Sequence, residues 1–154
     1  MLDVNKFKEF LIEAKKNTYA GEGETTASSR PLSKDLPYHK GLYFYLDSYF
    51  GDVNFIGEEV VWIDNKVVWG MNYYGEMLVE NIPADFSKCL KGALAAAPYH
   101  APYRGPESFS YCDLEYRCEW NGDIGSFYGE EFISSNGKII YKLKFHGGFI
   151  SFFN

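Results

Sequence analysis

From Asn5 to Lys16 the apolar residues Phe7, Phe10, Leu11 and Ala14 recur at helical spacing with Lys and Glu opposite. That pattern predicts an amphipathic helix, with Asp3 or Asn5 as its cap. A polar stretch, YAGEGETTASSRPLSKDLPYHKG, then runs to Gly41 and predicts a long loop. LYFYLDSYF alternates, with Leu42, Phe44 and Leu46 on one side and Tyr43, Tyr45 and Asp47 on the other, as a half-buried strand does. FIGEEVVWIDNKVVW adds two strands around Asp64-Asn65, a two-residue turn whose members both tolerate positive φ. The pattern restarts at NIPADFSKCLKGALAAAP, with Pro83 suited to a first helical turn, a stripe of Phe86, Leu90, Ala93, Leu94 and Ala97, and Pro98 as the stop. A second loop, YHAPYRGPESFSYCD, leads to strands near Leu114–Trp120, Phe127–Ser134 and Lys138–Phe145, the last two joined by Asn136-Gly137.

Laid over each other at an offset of 72, Leu42–Gly75 and Leu114–Gly147 align without a gap. Identities fall at Leu42, Phe55, Gly57, Glu58, Glu59, Lys66 and Gly75, and Val67, Val68, Trp69, Met71 and Tyr73 are matched by Ile139, Ile140, Tyr141, Leu143 and Phe145. With a helix before each copy, the chain reads as one unit used twice, in halves of about 3–77 and 82–150. Two hairpins that converged on the same turn and strand chemistry would leave the same trace. The expected fold is α+β, with tandem αβββ repeats in a single domain over 1–154. These would form a mostly antiparallel sheet of about six strands with two helices on one face.

Each copy carries two adjacent glutamates inside an apolar strand. A two-residue turn preserves face parity across a hairpin. The first copy then groups Ile56, Glu58, Val60 and Trp62 with Val67, Trp69, Met71 and Tyr73; the second groups Tyr128, Glu130 and Phe132 with Ile139, Tyr141, Leu143 and Phe145. Glu58 and Glu130 are expected on the aromatic face. Glu59 and Glu131 are expected in water, with Glu131 beside Lys142. A carboxylate on an aromatic face is either satisfied by nearby Tyr, Lys or backbone groups or kept for a ligand. In the second case it sits at the base of an aromatic-walled pocket suited to cations. The pocket residues on that reading are Glu58, Trp62, Trp69, Tyr73, Glu130 and Tyr141, with Tyr103 and Arg104 of the stiff segment APYRGP at the rim.

Composition narrows the partners. Tyr, Phe and Trp reach 19%, more than a small core requires, which favours a pocket. A net charge of −6, with arginine only at positions 30, 104 and 117, leaves no basic surface for phosphates, so no direct nucleic-acid binding is expected. No apolar run is long enough to span a membrane, and MLDVNKFKEF has charges where a secretory leader would be apolar. Cys89, Cys112 and Cys118 form no CxxC pair, which points to a reduced, cytoplasmic protein. His39, His100 and His146 lie at no metal-binding spacing, so neither a metal nor a cofactor is expected. Ser28 and Ser29 lack the GxSxG context of a nucleophile, and FHGGF is no phosphate cradle. The oligomeric state is not legible in the pattern.

The segments FLIEAKKNTYAG, SSRPLSKDLPY, FIGEEVVW, VVWGMNYYG, APYRGP and FHGG together resemble a bacterial family, the domain of unknown function numbered 5680. The resemblance runs over nearly the whole chain, and WGMNYYG and PYRGP are its most specific parts. It implies no catalytic residues. It does imply a sensor-like domain, because some members look like the C-terminal half of regulators that begin with a helix-turn-helix. A looser, architectural likeness is to the GyrI-like effector-binding domains, which hold amphipathic cations between aromatics and a buried acid. The leading expectation is a non-enzymatic domain that binds or senses a small organic ligand, an amphipathic cation by preference. A protein-interaction or immunity-type module is the alternative, and a small hydrolase or isomerase with Glu58 or Glu130 as general base is a third reading.

Overall fold

Two helices and eight strands make up the fold in the computed structural model, which describes residues 2–21 and 23–152. Their order is α1 (Val4–Lys16), β1 (Lys34–Lys40), β2 (Tyr43–Gly51), β3 (Asn54–Ile63), β4 (Lys66–Met77), α2 (Phe86–Ala95), β5 (Ser108–Tyr111), β6 (Leu114–Asp123), β7 (Ser126–Ser135) and β8 (Lys138–Phe149). All eight strands join one antiparallel sheet in the order β1-β2-β3-β4-β8-β7-β6-β5. The fold is therefore mostly β, and the expected six-stranded α+β arrangement is wrong. Each half is a helix and a four-stranded meander, αββββ, not αβββ. The two unforeseen strands are the edges. KDLPYHK is polar and holds Pro37, while SFSY has four residues, so neither carries a strand pattern of its own. A proline is tolerated on an edge, and pairing with β2 and β6 supplies what local propensity does not. Both segments lie within stretches that read as loops; of the first loop, Glu22 falls outside the described residues.

In α1 the Asp3 carboxylate accepts the Asn5 and Lys6 amides, and Phe7, Phe10, Leu11 and Ala14 are buried. The second helix starts at Phe86, after Pro83, and buries Cys89, Leu90, Ala93 and Leu94. Gly92 is there for space: a Cβ would stand 2.8 Å from the Phe109 ring. Both helices cover one sheet face, where Phe7 packs on Trp69 and Phe86 on Tyr141.

The two meanders meet where β4 pairs with β8. Tyr73 lies opposite Phe145, Trp69 opposite Phe149 and Met77 opposite Tyr141. Residues 72 apart thus exchange partners symmetrically about the Tyr73–Phe145 pair. β3 and β4 match β7 and β8 at that offset. β2 does not match β6 so: Tyr43 faces Ile63, and Leu114 faces Ser135, an offset of 71. The gapless match starting at Leu42 is one residue out in that strand. Leu42 is a turn residue, 69% exposed, whereas Leu114 is buried.

A bulge in each hairpin decides which residues face the helices. Val61 pairs with Trp69 but Trp62 pairs with Val67, leaving Val68 as the extra residue. Ile133 pairs with Tyr141 and Ser134 with Ile139, leaving Ile140 in the same role. Because side chains alternate with period two, one extra residue transfers everything beyond it to the other face. The second glutamate of each pair, Glu59 or Glu131, therefore shares a face with Trp69, Met71 and Tyr73, or with Tyr141, Leu143 and Phe145. Glu58 and Glu130 face away from the helices. The expectation for all four glutamates is reversed; in β2 the alternation holds, and Tyr45 and Asp47 are on the buried side.

Candidate functional site

Among the described residues, five acidic or basic side chains lie between the sheet and the helices: Lys15, Asp47, Glu59, Arg104 and Glu131, each at most 6% exposed. A charge in such a place must be paired and hydrogen-bonded. Glu131, from β7, meets that condition fully. Arg104 grips it through Nε at 3.0 Å and a terminal nitrogen at 2.6 Å, and the hydroxyls of Tyr116 and Tyr141 donate to it at 2.6 and 2.9 Å. The Gly105 amide donates to the Tyr116 oxygen, which ties the APYRGP segment to β6. Burial pulls the Arg104 pKa down, but Glu131 more than restores it, so the guanidinium stays charged. Burial first, then Glu131, drives both tyrosines well above their usual range, so they remain neutral donors.

Glu59 holds the related place on β3. Its cation is Lys15, from the last turn of α1, which also donates to the Tyr103 carbonyl at 2.7 Å. Burial lowers the Lys15 pKa, and Glu59 works against that. Directly across the strand pair from Glu59 is Asp47. Among the described residues it has one hydrogen-bond partner, the Tyr73 hydroxyl. Gly57 makes that contact feasible, since a Cβ there would sit 2.5 Å from the Tyr73 oxygen. Burial, then the repulsion of Glu59, pushes the Asp47 pKa up to about 7 against the pull of Tyr73, Lys15 and Arg104. Two cations thus meet three carboxyl groups, and Asp47 is the one without a cation of its own.

Asp47 also lines a cleft. Asp47, Tyr73 and Arg104 form its base, Tyr19, Tyr49, Phe55, Met77 and Phe86 form its walls, and exposed Gly51 and Asp52 stand at its mouth. The cavity measures about 90 Å³. The Arg104 guanidinium lies over the Tyr73 ring, 5.5 Å from its centre, so the base is both polar and aromatic. Chemically it offers a carboxyl group, a phenol and ring faces.

The family model described as a domain of unknown function, DUF5680, matches residues 47–150. The chain belongs to that family. No curated protein and no solved structure matches it. The matched DUF5680 segment opens at Asp47 and includes Tyr73, Arg104 and both inward glutamates, while Lys15 and Tyr19 lie ahead of it.

The eight residues picked from sequence divide between two faces. Tyr73, Arg104 and Tyr141 come together around the buried charges, and Trp69 and Tyr103 both stack on Phe127, at 5.7 and 3.9 Å. Arg104 is the partner of Glu131, not a rim residue. Tyr103 is buried, and its hydroxyl is without a hydrogen-bond partner among the described residues. Glu58, Trp62 and Glu130 are on the opposite, uncovered face. There Glu58 stands 3.8 Å from Arg30, Glu130 3.3 Å from Lys144, and Trp62 stacks on Phe44. The expected Glu131–Lys142 pair does not form, since Lys142 reaches Glu76. Arg30, Phe50, Ile56, Tyr74, Lys144 and His146 border a groove of about 550 Å³ on this side. Asp35 anchors the Arg30 loop by accepting from the Ser29 amide and the Ser48 hydroxyl.

Lys15, Asp47, Glu59, Tyr116 and Glu131 are not among the residues the sequence pattern marks for a site. The second Glu of each repeated pair was the available signal. The alternation in LYFYLDSYF was another, because it already set Tyr45 and Asp47 on a common face. Among the described residues no His, Cys, Asp and Glu group is placed to hold a metal ion, and no helix is long and apolar enough to cross a membrane.

Proposed function

We propose that this DUF5680 chain is a small-molecule-binding, effector-sensing domain whose ligand enters the cleft between helices and sheet. The ligand class the cleft favours is an amphipathic organic cation. One observation carries this reading: at the base of an aromatic-walled cleft lies a buried carboxyl group, Asp47, with a single hydrogen bond and no cation of its own. Lys15 and Arg104, the nearby cations, are engaged by Glu59 and Glu131. A cationic head group at Asp47 would supply the missing charge and meet the Tyr73 and Phe55 rings, whose faces attract cations. The enclosed base has room for a head group alone, so an apolar tail would lie along Tyr49 and Phe86 toward the mouth.

Titration with benzylamine, followed by protein fluorescence and thermal unfolding, tests this. Saturable binding should stabilise the fold by about 2.7 kcal/mol at a hundredfold excess over Kd. Asp47→Asn should abolish the effect, and unchanged binding by that variant would refute the assignment. The uncovered face supports a second reading, a protein-interaction module, because Ile56, Tyr74 and Tyr128 lie 56%, 45% and 63% exposed on a sheet surface that no helix shields.

A further inference from the structure

On the reading that the cleft binds a cation, we infer that the ligand enters in exchange for a proton on Asp47. The empty domain holds this carboxyl neutral, and the occupied domain holds it as the carboxylate. Written out, a neutral Asp47 carboxylic acid and an alkylammonium ion give an Asp47 carboxylate paired with that ammonium, and one proton passes to solvent. No bond other than the carboxyl O–H is broken.

The charges facing Asp47 from each neighbouring element require this. From β3, Glu59 stands directly opposite, an anion against an anion. From α1, Lys15 is held by Glu59 and the Tyr103 carbonyl. From the segment after α2, Arg104 is held by both oxygens of Glu131. From β4, Tyr73 gives one neutral hydrogen bond, and from β1 the residue opposite is Leu36. Tyr19 and Tyr49 add uncharged rings, and at the mouth Asp52 is already paired with Lys34. An ionised Asp47 would be a third anion served by two committed cations, in a place that water scarcely reaches. Protonation balances the interior at two against two. A bound ammonium balances it at three against three. The upward displacement of the Asp47 pKa to about 7 has the same origin and puts the exchange within the physiological range.

The second half supplies a built-in control. Cys118 takes the position of Asp47 there, opposite Glu131, and Phe145 takes that of Tyr73. That half has no carboxyl proton to exchange, and its carboxylate is closed by Arg104.

Two measurements test the inference. In the ligand-free protein the Asp47 carboxyl, followed by its carbon-13 shift, should titrate near neutrality and fall by at least two pH units when benzylamine saturates the cleft. A ligand-free titration in the ordinary carboxylate range near 4 would overturn the exchange whatever binds. Calorimetry of benzylamine binding in phosphate and in Tris should give about one proton released per ligand at pH 6, declining to nearly none at pH 8.5. The apparent affinity should rise about tenfold per pH unit below neutrality and level off above it. Saturable binding with no proton release and no pH dependence would overturn the exchange and leave the cleft as a ligand site. Failure of benzylamine to bind at any pH would overturn the ligand reading itself, and the exchange with it. Asp47→Asn, which mimics the neutral acid, should fold with a melting temperature at pH 6 no lower than the parent's and release no proton.

Discussion

The two inward glutamates occupy equivalent places and lead opposite chemical lives. Around Glu131, Arg104, Tyr116 and Tyr141 direct four hydrogen bonds at two oxygens, and the opposite residue, Cys118, is close to neutral in every sense, its thiol pushed up to about 12 chiefly by burial. Around Glu59 there is one lysine, a second carboxyl group across the strand, and a cleft open to solvent on the far side of Asp47. The same backbone bulge turns both glutamates inward. What differs is whether the neighbours close the charge balance. Where they do, the carboxylate is architecture; where they do not, a carboxyl group stands without a cation at the end of a cleft.

Glu131→Gln should give the largest effect. It leaves the Arg104 guanidinium buried without a counter-charge, which costs about 3–5 kcal/mol. Urea unfolding should show a much lower midpoint with an unchanged slope; a loss under about 1 kcal/mol would mean that Arg104 does not depend on Glu131 for its charge balance.

Glu59→Gln should cost less, about 2 kcal/mol, although it too strips a buried cation of its partner. Asp47 stands across the strand and can ionise to serve Lys15, so the proton on Asp47 becomes the reserve. The carbon-13 titration of Asp47 in this variant should move down from about 7 toward the ordinary carboxylate range. Equal destabilisation by Glu59→Gln and Glu131→Gln would erase the distinction between the halves.

Two buried aspartates should tilt the pH profile of stability in opposite directions. Asp47 is raised in the folded protein, so the native state holds its proton longer than the unfolded chain does. Its contribution is present in full below about pH 4 and is lost as pH rises from there to about 7. Asp35 on the uncovered face is opposite in sign. Burial raises its pKa, but Ser29, Ser48 and Ser33 together outweigh that and bring it down to about 2. Its contribution is present above about pH 4 and lost as pH falls through about 2. Asp47→Asn should abolish the loss between pH 4 and 7 and leave the acid limb intact, so that the variant is the more stable protein at pH 8. Guanidinium unfolding at stepped pH reads both limbs.

Glu58→Gln should be nearly silent, within about 0.5 kcal/mol, because the Arg30 pair is long and half-exposed. It should not alter benzylamine binding. A large effect on either would move the proposed ligand site to the uncovered face.

Much of the framework follows from local pattern. The stripes of Phe7, Phe10, Leu11 and Ala14, and of Leu90, Ala93 and Leu94, set two amphipathic helices, since burying one stripe is the way such a helix is stabilised. Asp64-Asn65 and Asn136-Gly137 adopt positive φ throughout and so fix two hairpins and their registers at the turn. The doubled glutamates marked the right strands. Tertiary structure decided the rest. Strands β1 and β5 exist because β2 and β6 offer them unpaired backbone groups, a fact about neighbours that a polar or four-residue segment cannot announce. The bulges at Val68 and Ile140 leave no mark in composition, yet each exchanges the two sheet faces beyond it. Whether a glutamate meets water or an arginine then depends on residues brought from a distance: Lys15 to Glu59, and Arg104 to Glu131. Sequence by itself determines where charge is available along the chain. Only packing determines whether that charge is neutralised, because burial removes the water that would otherwise screen it and leaves the balance to whatever side chains the fold has gathered.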